Sequence, residues 1–236
     1  MATTYIEDSY RNRVTLFIYW GLCLLVPVAA GVFLWWGDWQ SAVAAILIFA
    51  IMLAPAVAKG RYRLYLPFPL ELGVVIFIFL TLFLGGVARF YDWVPFWDKF
   101  THFQSGLLLG AFGYVLVYIL NEHQRVHLNL SPGFVSFFAV TFSLAFGVVW
   151  EFLEFAVDTI FKTTYWQEVG IADTMWDLIA DGTGALVVAI VGYFWMYRHK
   201  RLPFTPWILR MIEKRMERAR QMVEGSKTGE REREET

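Results

Sequence analysis

The chain has 236 residues, of which 58% are apolar, 19% aromatic and only 17% charged. A water-soluble domain of that length cannot bury so much apolar surface, so the composition excludes a soluble globule and indicates a polytopic membrane protein. The net charge of −1 points to no partner, and the single cysteine, Cys23, excludes an intrachain disulfide framework or a thiolate metal site.

A membrane span needs about 20 mostly apolar residues. Six stretches qualify, over residues 14–36, 40–58, 69–90, 101–120, 134–159 and 176–197. The first is too long for a signal-peptide core and runs on through VFLWW, so it reads as a retained span. Short polar connectors separate the six, and SPG before the fifth is a turn signal. No internal repeat is visible between the two three-span halves.

Orientation follows from Lys and Arg beside the spans. Arg11, Arg13, Lys59, Arg61, Arg63, Arg198, Lys200 and Arg201 all fall on one side of a six-span chain, against Lys99, Lys162 and Arg89 on the other. Both termini are therefore expected in the cytoplasm, with the protein multi-pass in the cell (inner or plasma) membrane. Trp35, Trp36, Trp39, Trp93, Trp97 and Trp166 then lie at the outer interface, where amphipathic rings prefer to sit. Residues 1–200 form the transmembrane domain on this reading, and 201–236 a cytoplasmic amphipathic helix with a disordered tail. Thr205 and Pro206 make a helix start, and Ile208, Ile212, Met216, Ala219 and Val223 share a face flanked by basic residues. An exposed, solvated tail helix is the alternative for that segment. The fold class is all-α: a six-span helix bundle with a C-terminal amphipathic helix.

The chemistry lies in three stripes. Asp98 and His102 open the fourth span, Glu151, Glu154 and Asp158 close the fifth, and Asp173, Asp177 and Asp181 open the sixth. With the ends placed by Lys and Arg alone, all three stripes fall in the outer half of the membrane. Residues three, four or seven apart share a helix face. The glutamate stripe spans about 60° of helix rotation and the aspartate stripe about 80°. At about 1.5 Å per residue, Glu151 and Asp181 reach similar depths, and His102 is expected to be shallower. Gly106, Gly110, Gly113, Gly147, Gly182 and Gly184 would let these helices approach closely or leave room for a substrate.

Structural roles compete with functional ones. Asp98 and Asp173 could cap their helices, Thr174-x-x-Asp177 resembles a capping box, and His102 could be a hydrogen-bonded core residue. Glu151 and Asp181 are harder to explain that way, because an acid at membrane depth costs about 2.5–3.5 kcal/mol on insertion scales. Arg89 and Lys99 could pair with one or two acids but not with all. The remainder require a divalent metal or protons. An oxygen-rich set with one imidazole suits magnesium, calcium or manganese, and zinc fits a histidine with two carboxylates. Protonated carboxylates acting as relays or general acids are the other solution, and both stay open.

WDKFTHFQSG, WEFLE and DTMWDLIADGTGA resemble the signature of VanZ-like membrane proteins, and more closely the YjdF-like inner-membrane group. Asp98, His102, Glu151, Glu154, Asp173, Asp177, Gly184 and Ala185 carry the resemblance, which covers about the C-terminal 60% of the chain. The resemblance implies a cell-envelope role with no defined reaction. The Arg and Asn that such proteins often carry near the final acids are absent from IADTMWDLIADG.

Three functions are compatible with these residues. One is an enzyme acting on a lipid or envelope precursor, with Glu151 or Glu154 as general base, His102 as ligand or proton shuttle, and Asp177 and Asp181 holding a metal. In its widest form the metal set comprises Asp98, His102, Glu151, Glu154, Asp158, Asp173, Asp177 and Asp181. The second is a transporter of a cation, proton or lipid, and the third an assembly factor with a satisfied polar core. Membrane lipid is the expected partner. No P-loop, dinucleotide-binding glycine pattern or HExxH is present, and a basic tail abutting a span argues against nucleic acid.

Overall fold

The computed structural model describes residues 2–61, 68–122, 130–161 and 170–199. The expected C-terminal amphipathic helix, and with it the division at residue 200, lies outside them, as do Arg63, Lys162 and Trp166. Among the described residues all regular structure is helical. The elements are α1 (Ala2–Trp35), α2 (Trp39–Met52), α3 (Ala54–Arg61), α4 (Phe68–Ile78) continuing as a π-helix (Phe79–Val87), α5 (Phe90–Trp93), α6 (Trp97–Glu122), α7 (Pro132–Phe161) and α8 (Ile171–His199).

Among the described residues six segments are long and apolar enough to cross a membrane: Arg13–Trp35, Trp39–Ala58, Pro69–Val87, Trp97–Val117, Pro132–Ile160 and Ile171–His199. These match the six expected spans, with two differences that bear on the site. The fourth and sixth helices begin four and five residues earlier than expected, so Asp98 and Asp173 already stand in helical first turns. The third span does not stay α-helical, and Ala88 N–H donates to the Phe83 carbonyl five residues back, at 2.8 Å.

The spans pack as two groups of three. Tyr19, Cys23, Val26 and Ala30 of α1 meet Ala45, Ile48 and Met52 of α2 and Val75, Phe79 and Phe83 of the third span. Tyr114 and Val117 of α6 meet Val135 and Ala139 of α7 and Met196 of α8. Leu70 against Ala111 and Val115 joins the groups through the third and fourth spans. Large apolar side chains such as Phe17, Phe137, Phe152 and Phe194 point outward, the pattern expected when lipid is the solvent.

Close approach in the second group depends on glycine. A Cβ on Gly106 would collide with the Asp181 carbonyl, and one on Gly184 with the Phe103 carbonyl, so α6 and α8 touch backbone to backbone. Gly113 lies against Ala139 of α7, and Gly192 admits the Tyr114 ring. Tyr114 then ties the three helices together, its hydroxyl 2.7 Å from Ser136 Oγ and 3.0 Å from the Ala189 carbonyl.

Because the Gly106 and Gly184 contacts are to backbone, the neighbour cannot yield. Gly106→Ala and Gly184→Ala are each expected to cost about 1–3 kcal/mol and to lower the detergent melting temperature by several degrees. Gly31→Ala, with nothing within 4 Å of the added methyl, is expected to leave it within about 0.5 kcal/mol of the parent. Equal melting of all three variants would show that the helices stand further apart.

Candidate functional site

The acid-bearing ends of α6, α7 and α8 come together around Lys99 and His102. Lys99 Nζ bonds Asp98 Oδ2 at 2.9 Å and Asp177 Oδ2 at 2.9 Å, and it also bonds Asp173 Oδ1. Asp177 Oδ1 lies 2.8 Å from the same nitrogen but takes no hydrogen bond. One lysine therefore clamps the start of α6 to the first two turns of α8. Asp98 and Asp173 are held by this clamp instead of standing as isolated helix caps. The expectation that Arg89 shares the neutralisation is corrected: its Nε pairs with exposed Asp92 at 2.5 Å, outside the cluster. Arg89 sits in a left-handed backbone conformation (φ 61°) at the turn before α5, which directs it to its own short helix.

His102 is the second side chain that the acids surround, and it is buried. Its Nδ1 lies 3.1 Å from Asp181 Oδ2, and Asp181 Oδ1 takes a hydrogen bond from Ser105 Oγ. The expectation that His102 is shallower than Asp181 is corrected by this contact, which places the two side by side. The contacts of Gly106 with the Asp181 backbone and of Gly184 with the Phe103 carbonyl account for the difference, because they offset α8 along α6 and bring His102 level with Asp181. Gly147 makes room for the pair, since a Cβ there would stand 2.6 Å from Asp181 Oδ2.

The other ring nitrogen faces three carboxylates from three helices. His102 Nε2 is 3.8 Å from Asp98 Oδ1, 3.9 Å from Glu151 Oε1 and 3.9 Å from Asp177 Oδ1. Glu151 Oε1 and Asp177 Oδ1 are buried oxygens without a hydrogen-bond partner. Ligand atoms of Asp98, His102 and Asp177 all lie within 4.8 Å of one another. A tetrahedral ion with bonds of about 2.0–2.1 Å separates its ligands by about 3.4 Å, so the distances from His102 Nε2 to Asp98 and Asp177, at 3.8 and 3.9 Å, would each shorten by about half an ångström on binding one. A carboxylate on one ring nitrogen, as Asp181 is on His102 Nδ1, fixes the imidazole tautomer and aims the other nitrogen.

Of the remaining expected site residues, Glu154 is buried and accepts a hydrogen bond from Trp150 Nε1 at 2.7 Å. Asp158 is half-buried, one turn further along α7. Asp173 is held by Lys99, away from His102.

Ser105, Trp150 and Tyr91 were not visible as site residues in the sequence. Tyr91 comes from α5, where no helical stripe announces it. Its ring lies against Gly85 of the π-helix, leaving no room for a Cβ there. The turn is fixed by Trp93 Nε1 donating to the Ala88 carbonyl and Trp97 Nε1 to the Leu80 carbonyl. Burial pushes the Tyr91 hydroxyl up to about 12, and the nearby charges of Asp98 and Glu154 push the same way. The phenol therefore forms a protonated wall of the carboxylate cluster on the third-span side.

The folded state holds that proton more tightly than the unfolded chain. Tyr91 thus contributes stability that is complete below pH about 10 and is lost as pH rises towards about 12. The difference in 295 nm absorbance between wild type and Tyr91→Phe is expected to show no phenolate at pH 10.5 and one near pH 12. A phenolate already formed at pH 10 would place Tyr91 in solvent.

No curated protein and no solved structure matches the chain. Residues 16–198 match a family described as "Predicted membrane protein (DUF2238)", a region that takes in every residue of the cluster and all of the six spans except the first three residues of the first and the last residue of the sixth. That coverage exceeds three-quarters of the sequence, and the chain belongs to this family of membrane proteins.

Proposed function

We propose that the protein binds a divalent cation between α6, α7 and α8, on the extracytoplasmic side of the cell membrane, and acts there on a lipid or other envelope component. Support for the cation comes first from Glu151 Oε1, a buried oxygen with no hydrogen-bond partner 3.9 Å from His102 Nε2. A buried unpaired carboxylate oxygen is costly, and a metal ion is the ligand that would satisfy it together with Asp98, Asp177 and His102. Asp181 orients the imidazole, and Glu154 remains as a nearby carboxylate for proton transfer. Such an ion would supply Lewis-acid polarisation of a phosphoryl or carbonyl oxygen, or activation of water. A lipid-facing exterior and a half-buried Lys99–Asp98 rim are compatible with a substrate arriving from the outer leaflet.

The side of the membrane rests on the Lys and Arg bias, which puts both termini in the cytoplasm. The VanZ-like and YjdF-like resemblance of the three motifs supports an envelope role. A transporter is the second reading. Buried Glu71, in the first turn of α4, provides an ionisable side chain towards the other end of the third span, near Tyr19.

Two measurements test the proposal. Protein purified without chelator is expected to carry about one manganese, zinc, magnesium or calcium ion by elemental analysis. Glu151→Gln and Asp177→Asn should lose it, whereas Asp92→Asn should not. Retention of the ion by both site variants, or no ion under any metal supplementation, would overturn the cation site. Cysteine labelling of intact cells at position 93 but not at position 13 is expected, and the reverse pattern would invert the proposed sidedness.

A further inference from the structure

We propose that Lys99 is the selectivity element of this site: a tethered monovalent charge that a divalent ion can displace and a free monovalent ion cannot. The inference rests on the divalent-cation reading above and adds to it what the lysine does.

Lys99 Nζ occupies one side of the same carboxylates that face His102. It bonds Oδ2 of Asp98 and Oδ2 of Asp177, while Oδ1 of each residue lies 3.8–3.9 Å from His102 Nε2. Asp177 Oδ1 is shared by both arrangements, 2.8 Å from the ammonium and 3.9 Å from the imidazole nitrogen. An ion bound to that oxygen at about 2.1 Å would stand within a few ångströms of Nζ and repel it. The two cations therefore compete for one oxygen.

The lysine also has somewhere to go. Asp173 holds Nζ from the more exposed side, and its side chain is 16% accessible against 2% for Asp177. A four-carbon stem lets the ammonium withdraw to Asp173 while Asp98 and Asp177 turn to the ion. Exchange of Lys99 for sodium or potassium gains no charge and loses a partner held at high effective concentration by its own chain. Exchange for a divalent ion gains one unit of charge among crowded carboxylates. Discrimination by charge follows without a size-selective cage.

Manganese binding to the purified full-length chain, read from the electron paramagnetic resonance signal of free Mn²⁺, tests this. Titrations are run in sodium chloride and in choline chloride at equal ionic strength. Wild-type affinity is expected to be the same in both salts. Lys99→Met, and Lys99→Gln as a second variant, are expected to bind Mn²⁺ at least tenfold more tightly in choline and to lose several-fold of that gain in sodium. Lys99→Arg should behave as wild type. Asp173→Asn should weaken Mn²⁺ binding several-fold when Lys99 is present and have little effect in the Lys99→Met background. Folded Lys99→Met and Lys99→Gln proteins that bind Mn²⁺ no more tightly than wild type would overturn the role of Lys99 and leave the cation site standing. Absence of Mn²⁺ binding in every protein, wild type included, would overturn the cation site itself and the selectivity role with it.

Discussion

Six carboxylates gathered inside one end of a helix bundle repel each other, and the fold exists because something neutralises them. Lys99 and His102 do much of this from a single helix. Lys99 spans Asp98, Asp173 and Asp177, and His102 reaches Asp181 while facing Asp98, Glu151 and Asp177. Breaking one partner of a buried pair commonly costs about 3–5 kcal/mol, because the other charge is left behind. Yet Lys99 and His102 do not reach every oxygen of Asp98, Glu151, Glu154, Asp173, Asp177 and Asp181. The buried Glu151 Oε1, which has no hydrogen-bond partner, is the physical reason for proposing a bound cation.

The rest of the bundle serves that cluster. Glycines at 106, 147 and 184 bring α6, α7 and α8 close enough for side chains four to six atoms long to meet. At the other end of the same helices Tyr114 closes the group through Ser136 and the Ala189 carbonyl, so the acidic end is held against a fixed base. The π-helix gives the third span a different face where it meets α6, and Gly85 within it receives the Tyr91 ring. An uncharged hydroxyl wall beside a charged cluster separates the site from the apolar core of the first three spans.

Much of this was legible in the sequence because it rests on periodicity and length. Six apolar runs, one acid or histidine per turn in three of them, and the Lys and Arg bias sufficed to place Asp98, His102, Glu151, Asp177 and Asp181 at one end. Partner choice was not legible, since it depends on helix tilt and rotamer. Arg89 and Lys99 looked equivalent as neutralisers, but a left-handed backbone at Arg89 turns it to Asp92. His102 is level with Asp181 although a simple rise per residue set it higher. Tyr91 and Glu71 escaped notice because each is a single polar residue in or beside an apolar run, with no repeat to mark it. The π-helix packs against Trp97 and Tyr91, which come from outside its own segment, and FLTLFLGGV has the composition of an ordinary span.

The central claim is that one imidazole and carboxylates from three helices converge on a common ion. X-ray absorption at the metal edge of zinc- or manganese-loaded protein examines this directly. The account predicts a first shell of oxygen and nitrogen at about 2.0–2.2 Å with the outer-shell scattering of a single imidazole. That imidazole signal should vanish in His102→Ala. A shell of oxygen alone in the wild-type protein, or an imidazole signal that survives the His102 substitution, would contradict it.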